Sequence, residues 1–474
     1  MIEDPGAASH VVYPTDDGDS YTSLRRRSTP RAQRYALGRR LRHDVPRSSL
    51  GNWRAPVGRP DVVHQIMESH EGRVERLIPT RVGRMTASPY GFLRGTAVVM
   101  AEDLAHLPAT GIQPVICGDA HLGNFGFYAS PERDLVIDLN DFDEAHPGGW
   151  EWDLRRLAAS IWVAGRQNSA TELQCENAVA YMAATYREHI RWLAGQPLLG
   201  RSFERLDVDR MRAVATQESL RQAIQRSAER ARGRVSDRAL PRFTEVDESG
   251  RRIVEEPPLI TRLDDRDKDA LATALDYYLG TLPSHWRRVL SGYTLVDAAH
   301  KVVGVGSVGL RAYVALCEGS SDDDVIFLQL KQARRSVLAR YVHGESAWHA
   351  HQGQRVAEYQ QALQTVSDPL LGWTTMDGRQ YYVRQFRNMK GTIAIDSLDA
   401  AALIDYAGIC GRLLAKGHAR TSGASMIAGY AGSSNKLDIA ICRFARRYAD
   451  QTERDHASLV DAVARGLLPS EPAA

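Results

Sequence analysis

The stretch VICGDAHLGNFG, residues 115–126, constrains this chain more than any other. An apolar run ends on Gly118 and Asp119, and His121 and Asn124 follow at short offsets. A second strand-like run, 134–140, then delivers Asp138, Asp141 and Asp143 in DLNDFDEA. After it, EWDLRRLAASIWVAG spaces Leu154, Leu157, Ala158 and Ile161 along one helical face, with Asp153 near the helix start. Strand, polar loop, strand, acidic turn and apolar helix in close succession require sheet and helix to meet where the polar groups gather.

Elsewhere the periodicity predicts helices over 95–107, 171–194 and 207–232, and LPRFTEVDESGRRIVEEPPLI reads as a hairpin that ends at a proline pair. Helices near 266–280 and 283–291 come next. From about 300 the texture turns strand-rich. HKVVGVGSVGLRAYVALCEG alternates around a glycine turn, DDDVIFLQLKQA is another alternating strand, a long helix is expected over 344–366, and QYYVRQF is a further strand. From about 396 the chain is helical. The expected division is an arginine-rich arm over 1–60, a mostly helical part over 61–300, a small strand-rich part over 301–395 and closing helices over 396–474.

Composition narrows the function classes. With 43% hydrophobic and 25% charged residues and a formal charge of +2, nothing pulls the whole molecule toward nucleic acid or membrane. The basic arm, with arginines at 25–27, 39, 40, 42, 47 and 54, reads as a solvated tail partly docked on the body, and a nucleic-acid role is the weaker reading. The five cysteines lie far apart without a CxxC pair, so neither a disulfide framework nor a zinc site is expected. The N-terminus lacks a basic region followed by an apolar core, and no apolar run approaches ~20 residues. A cytoplasmic protein, neither secreted nor membrane-spanning, is the expectation.

Phosphoryl transfer needs few protein groups: donors around the phosphates, magnesium on carboxylate and amide oxygens, and a carboxylate to take the hydroxyl proton. Asp119 and Asn124 have the Asp-to-Asn spacing of a kinase catalytic loop, with the Asp as base and the Asn on metal. His121 lies where a donor reaches the transferred phosphate. Asp141 is the favoured magnesium aspartate, with Asp143 beside it. The other half of the set comes later: GVGSVG (Gly304, Gly306, Ser307 and Gly309) continues into a strand, not a helix, and the next strand carries Lys331. Lys331 is the candidate for the α- and β-phosphates of ATP. Glu358 is its expected ion-pair partner and Glu345 the weaker one.

The acidic loop thus precedes the glycine turn by more than 180 residues, the reverse of ordinary kinases. RLLAKGHA at 412–419, a pattern that ordinarily leads into the catalytic loop, is stranded near the C-terminus. The expected fold is α+β: a bilobal protein-kinase-like fold, circularly permuted, with a mostly helical large lobe and a small antiparallel-sheet lobe. GDAHLGNFG, DFDEA with EWDLRRLAAS, GVGSVG, FLQLKQAR, YYVRQFRNMKG and QTERDHA together resemble an uncharacterised bacterial family of the protein-kinase-like superfamily, beside aminoglycoside phosphotransferases and choline kinases. The resemblance runs from about residue 35. It implies Asp119 as base, Asn124 and Asp141 as metal ligands, Lys331 with Glu358, a glycine turn over the phosphates, and ATP and Mg2+ as cofactors. Two departures stand out: Cys117 where His or Arg is usual, and DFD in place of DFG.

The function read from this set is ATP- and magnesium-dependent transfer to a hydroxyl on a small molecule or protein. AMP transfer from the same pocket, or a non-catalytic nucleotide-binding scaffold using the arm and the helical stretch 165–295, are the alternatives. The acceptor is not legible: Arg81, Arg84 and Arg94 fit either an acidic acceptor or a structural role.

Overall fold

The computed structural model describes residues 29–235, 243–248, 250–302, 308–321, 323–342, 349–421 and 423–471. Within them the chain is a mixed α+β protein with several antiparallel sheets. The loop of 115–126 sits between two short strand pairs. β1 (Val115–Ile116) pairs with β4 (His146–Pro147), and β2 (Phe125–Ala129) pairs with β3 (Leu135–Leu139), which also takes β5 (Leu206–Asp207). Behind them lies the helix Trp150–Gln167, buried along nearly its whole length and not on one face alone. The apolar stripe predicts one buried side; the helices Glu172–Gly195, Ala400–Thr421 and Lys436–Ala464 enclose the rest.

β6 (Thr244–Asp247) and β7 (Gly250–Ile253) form a separate antiparallel hairpin. Among the described residues the larger sheet has six strands: β8 (Ile260–Arg262), β9 (Thr294–Lys301), β10 (Ala312–Glu318), β11 (Val325–Gln332), β12 (Gly372–Met376) and β13 (Arg379–Gln385), all paired antiparallel in the order β12-β13-β11-β10-β9-β8. β11 shows why the two faces differ. Leu328 and Leu330 pack with Leu271, Ala274 and Tyr278 of the helix Asp265–Leu279, whereas Val325 and Phe327 join Ile253, Ile260 and Leu316 on the opposite side. The two-residue period therefore puts Lys331 on the face away from that helix.

The sheet draws in residues well before 301. β8 and β9 are strands of it and the helices Asp265–Leu279 and Ser284–Leu290 pack on it, although all of these except Lys301 fall within 61–300, which the sequence assigns to the larger helical part. Three residues of β8 are too few to show a period, and the helices carry no mark of what they pack against.

The arm is also more than a tail. The helix Arg31–Asp44 lies on Ala424–Ala431, and arginines in it and just after it cap that helix: Arg42 Nε donates to the Tyr430 carbonyl at 2.9 Å and Arg47 Nη1 to the Ala431 carbonyl at 2.8 Å. Guanidinium groups thereby satisfy carbonyls that a helix C-terminus leaves open. Leu50 and Trp53 are buried, with the Trp53 ring 5.0 Å from that of Tyr448.

The helix Ala400–Thr421, which carries RLLAKGHA, ends beside the strand that opens the 115–126 stretch. Thr421 Oγ1 accepts the Val115 N–H at 3.1 Å. All five cysteines are buried and free, and no helix among the described residues is long and apolar enough to cross a membrane.

Candidate functional site

The loop that opens at Cys117 is held from behind. Asp153, in the first turn of the helix Trp150–Gln167, accepts the backbone N–H of Cys117 at 2.7 Å and of Gly118 at 2.8 Å. A buried carboxylate at a helix N-terminus is stabilised by the helix dipole and by two amide donors. His418 Nε2 lies 3.3 Å from the same carboxylate, and the other ring nitrogen of His418 is 2.8 Å from Tyr186 Oη. Gly118 has φ +78°, and a Cβ there would lie 2.3 Å from the Glu144 carbonyl oxygen. Only glycine lets the loop cross the DFDEA turn this closely.

Asn124 clasps the two segments together. Its Nδ2 donates to the carbonyls of Asp119 (3.1 Å) and Asp141 (3.0 Å), and its Oδ1 accepts the Asp141 N–H at 2.6 Å. The residue expected on metal is thus the one that sets the spacing between Asp119 and Asp141. One lone pair of its oxygen is already engaged.

Asp119, His121, Asn124, Asp141 and Asp143 all line one cleft of about 690 Å3. Burial pushes the Asp119 carboxyl up to about 7, and the Arg156 guanidinium bonded to it offsets only part of that cost. His121 is buried, and its Nε2 stands 3.9 Å from Asp119 Oδ2. Burial first, then Arg94 and Arg156, press the imidazole well below its usual value. A neutral His121 beside Asp119 can donate or accept one hydrogen bond, but it carries no charge toward a phosphate.

Lys331 reaches the same turn from the large sheet. Its Nζ lies 2.6 Å from Asp143 Oδ2 and 3.6 Å from Asp141 Oδ1, and Tyr382 donates to Asp143 Oδ1 at 3.1 Å. Burial alone would lower the ammonium's pKa. The two aspartates outweigh it and keep Lys331 charged. Glu358 is not its partner: that carboxylate meets His349 Nε2 at 2.7 Å and Gln354 Nε2 at 2.8 Å. The helix Gln352–Leu363 turns Arg355 toward the turn instead, where its guanidinium donates to the carbonyls of Ala145 (2.5 Å), Asp143 (2.8 Å) and Arg334 (2.9 Å). Helical periodicity gives relative faces, and it did not tell which face meets the cleft. Of the glycine turn, Gly309 has φ +89° and its carbonyl accepts the Val74 N–H at 2.8 Å. Gly304, Gly306, Ser307 and Glu345 lie outside the described residues.

Among the described residues no group of three or more His, Cys, Asp or Glu is arranged to hold a metal by itself. Magnesium asks for less: one or two carboxylates, with phosphates and water completing the shell. Asp141, with 49% of its side chain exposed, and Asp143 next to it on the turn are hard oxygen donors that fit such an ion. Arg156, bonded to Asp119, reads in WDLRR as an ordinary helix charge, and the cleft residues Asn140, Glu144, Arg384 and Lys390 carry no sequence signal of their own.

A search of curated proteins and one of solved structures returned no match. A family model does match, over residues 73–462, which leaves the arm outside it and starts later than the resemblance from about residue 35 implies. Covering most of the length, the loop, the turn and the lysine strand alike, that match makes the chain a member of the family described as uncharacterised protein conserved in bacteria (DUF2252).

Proposed function

We propose that this chain is an ATP- and magnesium-dependent phosphotransferase of circularly permuted, kinase-like fold that acts on a hydroxyl acceptor. The observation that carries the reading is the ion pairing of Lys331 with Asp141 and Asp143, which line the cleft together with Asp119. A cation from a sheet strand, a carboxylate turn and a separate carboxylate on a clasped loop are the groups that phosphoryl transfer requires. Support for the permuted order comes from the Thr421 to Val115 contact, where an ordinary-order chain would run directly from the helix into the loop.

Bound ATP and magnesium supply the phosphoryl group and the charge that steadies it. The chain's own residues do the rest. Lys331 binds donor phosphates beside the glycine turn, Asp141 and Asp143 hold the ion, and Asn124 fixes the distance from that turn to the base. Asp119, with a carboxyl raised to about 7, accepts the hydroxyl proton near neutral pH, and Arg156 orients it.

The test is calorimetric titration of the full chain with a non-hydrolysable ATP analogue, with and without magnesium, alongside Asp141→Ala. Magnesium-dependent binding that the variant loses is the expected result. A folded wild-type protein that binds no nucleotide would sink the proposal. With ATP labelled at the α- or γ-phosphate, retention of the γ-label on an acceptor separates phosphoryl from AMP transfer.

A further inference from the structure

A second group of cations, distinct from Lys331, lines the cleft. Arg81, in the helix Ile78–Thr86, is 2% exposed and lines the cleft. It spends one nitrogen on a hydrogen bond, Nη2 to the Gly95 carbonyl at 3.0 Å, and among the described residues its Nε and Nη1 have no partner. A buried guanidinium with unmet donors is strongly unfavourable unless an anion completes it. None is supplied by its neighbours: the charges that act on it most are those of Arg73 and Arg334, both cations lining the same cleft.

Arg94 stands next to this group, on the helix Pro89–Gly95, with its buried Nε likewise unmet. That helix belongs to the Asp119 side. Tyr90 Oη accepts the Gly123 N–H at 2.9 Å, and Arg156, which holds Asp119, also donates to the Leu93 carbonyl at 2.8 Å. The groups that act most on Lys331 are Asp141, Asp143, Tyr382 and Arg384 and none of these arginines, although Asp143 also acts on Arg73.

We propose that Arg81 and Arg94, flanked by Arg73 and Arg334 where the group reaches toward Gly309 and the Asp143 turn, form an oxyanion subsite in the cleft that binds the phosphate or carboxylate of an anionic acceptor. The assignment to the acceptor rests on the phosphotransferase reading, in which Lys331 serves the donor. Guanidinium groups suit this task, because their planar forks match such oxyanions with two parallel bonds.

The experiment titrates the full chain with inorganic phosphate as probe, alone and with the non-hydrolysable ATP analogue and magnesium at saturation. It compares wild type, Arg81→Met, Arg334→Ala and Lys331→Met. Phosphate should still bind wild type at saturating nucleotide, and Arg81→Met should weaken it about tenfold while nucleotide affinity changes less than about threefold. Lys331→Met should show the opposite pattern. Arg334 is exposed, so its variant keeps the test alive if Arg81→Met fails to fold; there phosphate weakens about threefold. Equal losses of phosphate and nucleotide in the arginine variants would assign the group to the donor and overturn the proposal. So would loss of all phosphate binding once nucleotide is saturating. Arg81-dependent phosphate binding in a protein that binds no nucleotide would keep the subsite and remove the phosphotransferase reading instead.

Discussion

Asp119 is where burial and chemistry meet most directly. Its carboxyl, raised to about 7, must be ionised to accept a proton, so the protonated form below that value is the inactive one. The slow transfer of the phosphoryl group to water should therefore climb with pH through about 7 and level off above it, and at pH 6 it should retain about a tenth of the plateau. A flat profile between pH 5 and 8 would assign the base elsewhere. Asp119→Asn removes the base without changing the shape of the side chain. Turnover should fall by about 100-fold or more, with nucleotide affinity within about threefold of wild type. At Lys331 the roles reverse: Lys331→Met should weaken nucleotide about tenfold, because the charged donor to the phosphates is gone.

Among the elements, the helix Trp150–Gln167 organises the loop through one side chain. Asp153 holds two amides and His418, all buried, so Asp153→Ala leaves three groups with an acceptor missing. It should cost about 3 kcal/mol in chemical denaturation, and Asp153→Asn, which keeps one oxygen acceptor, should cost less. Equal stability of wild type and Asp153→Ala would show that the loop is held by other contacts. Much of this level was legible. The strands at 135–139 and 379–385 and the helices at 150–167 and 172–195 fall within a few residues of their expected limits, because each carries a clear period and end signals. Glu358 shows the limit of that reading. Its place on a helix was plain, whereas its partner depended on how that helix rotates against the turn, and Arg355 won the inward face. Arg81 and Arg94 were visible only as a basic stretch, since burial and unmet donors are properties of the packed chain.

At the scale of the whole molecule, the cleft exists because segments far apart in sequence, from Gln65 to Thr392, close on one another. The core below it draws on the arm as well. Leu50 and Trp53 enter the main core, so a chain starting at residue 56 should lose about 4 kcal/mol in guanidinium unfolding. An unchanged midpoint would mean that the arm only rests on the surface. Poverty in large aliphatics made it read as a tail; two buried side chains and a set of arginine caps were enough to dock it. The sheet that starts at Ile260 makes the same point, because a three-residue strand leaves no period to find.

In the proposed function, the Lys331 strand and the loop and turn around Asp119 and Asp141 form one nucleotide site. Hydrogen exchange of the full chain, with and without magnesium and the non-hydrolysable ATP analogue, decides whether they do. Amides at 117–126, 140–145 and 325–332 should gain protection together and at the same nucleotide concentration. Protection confined to one of these segments, or absent from all of them in a folded protein, would mean that they do not share a nucleotide.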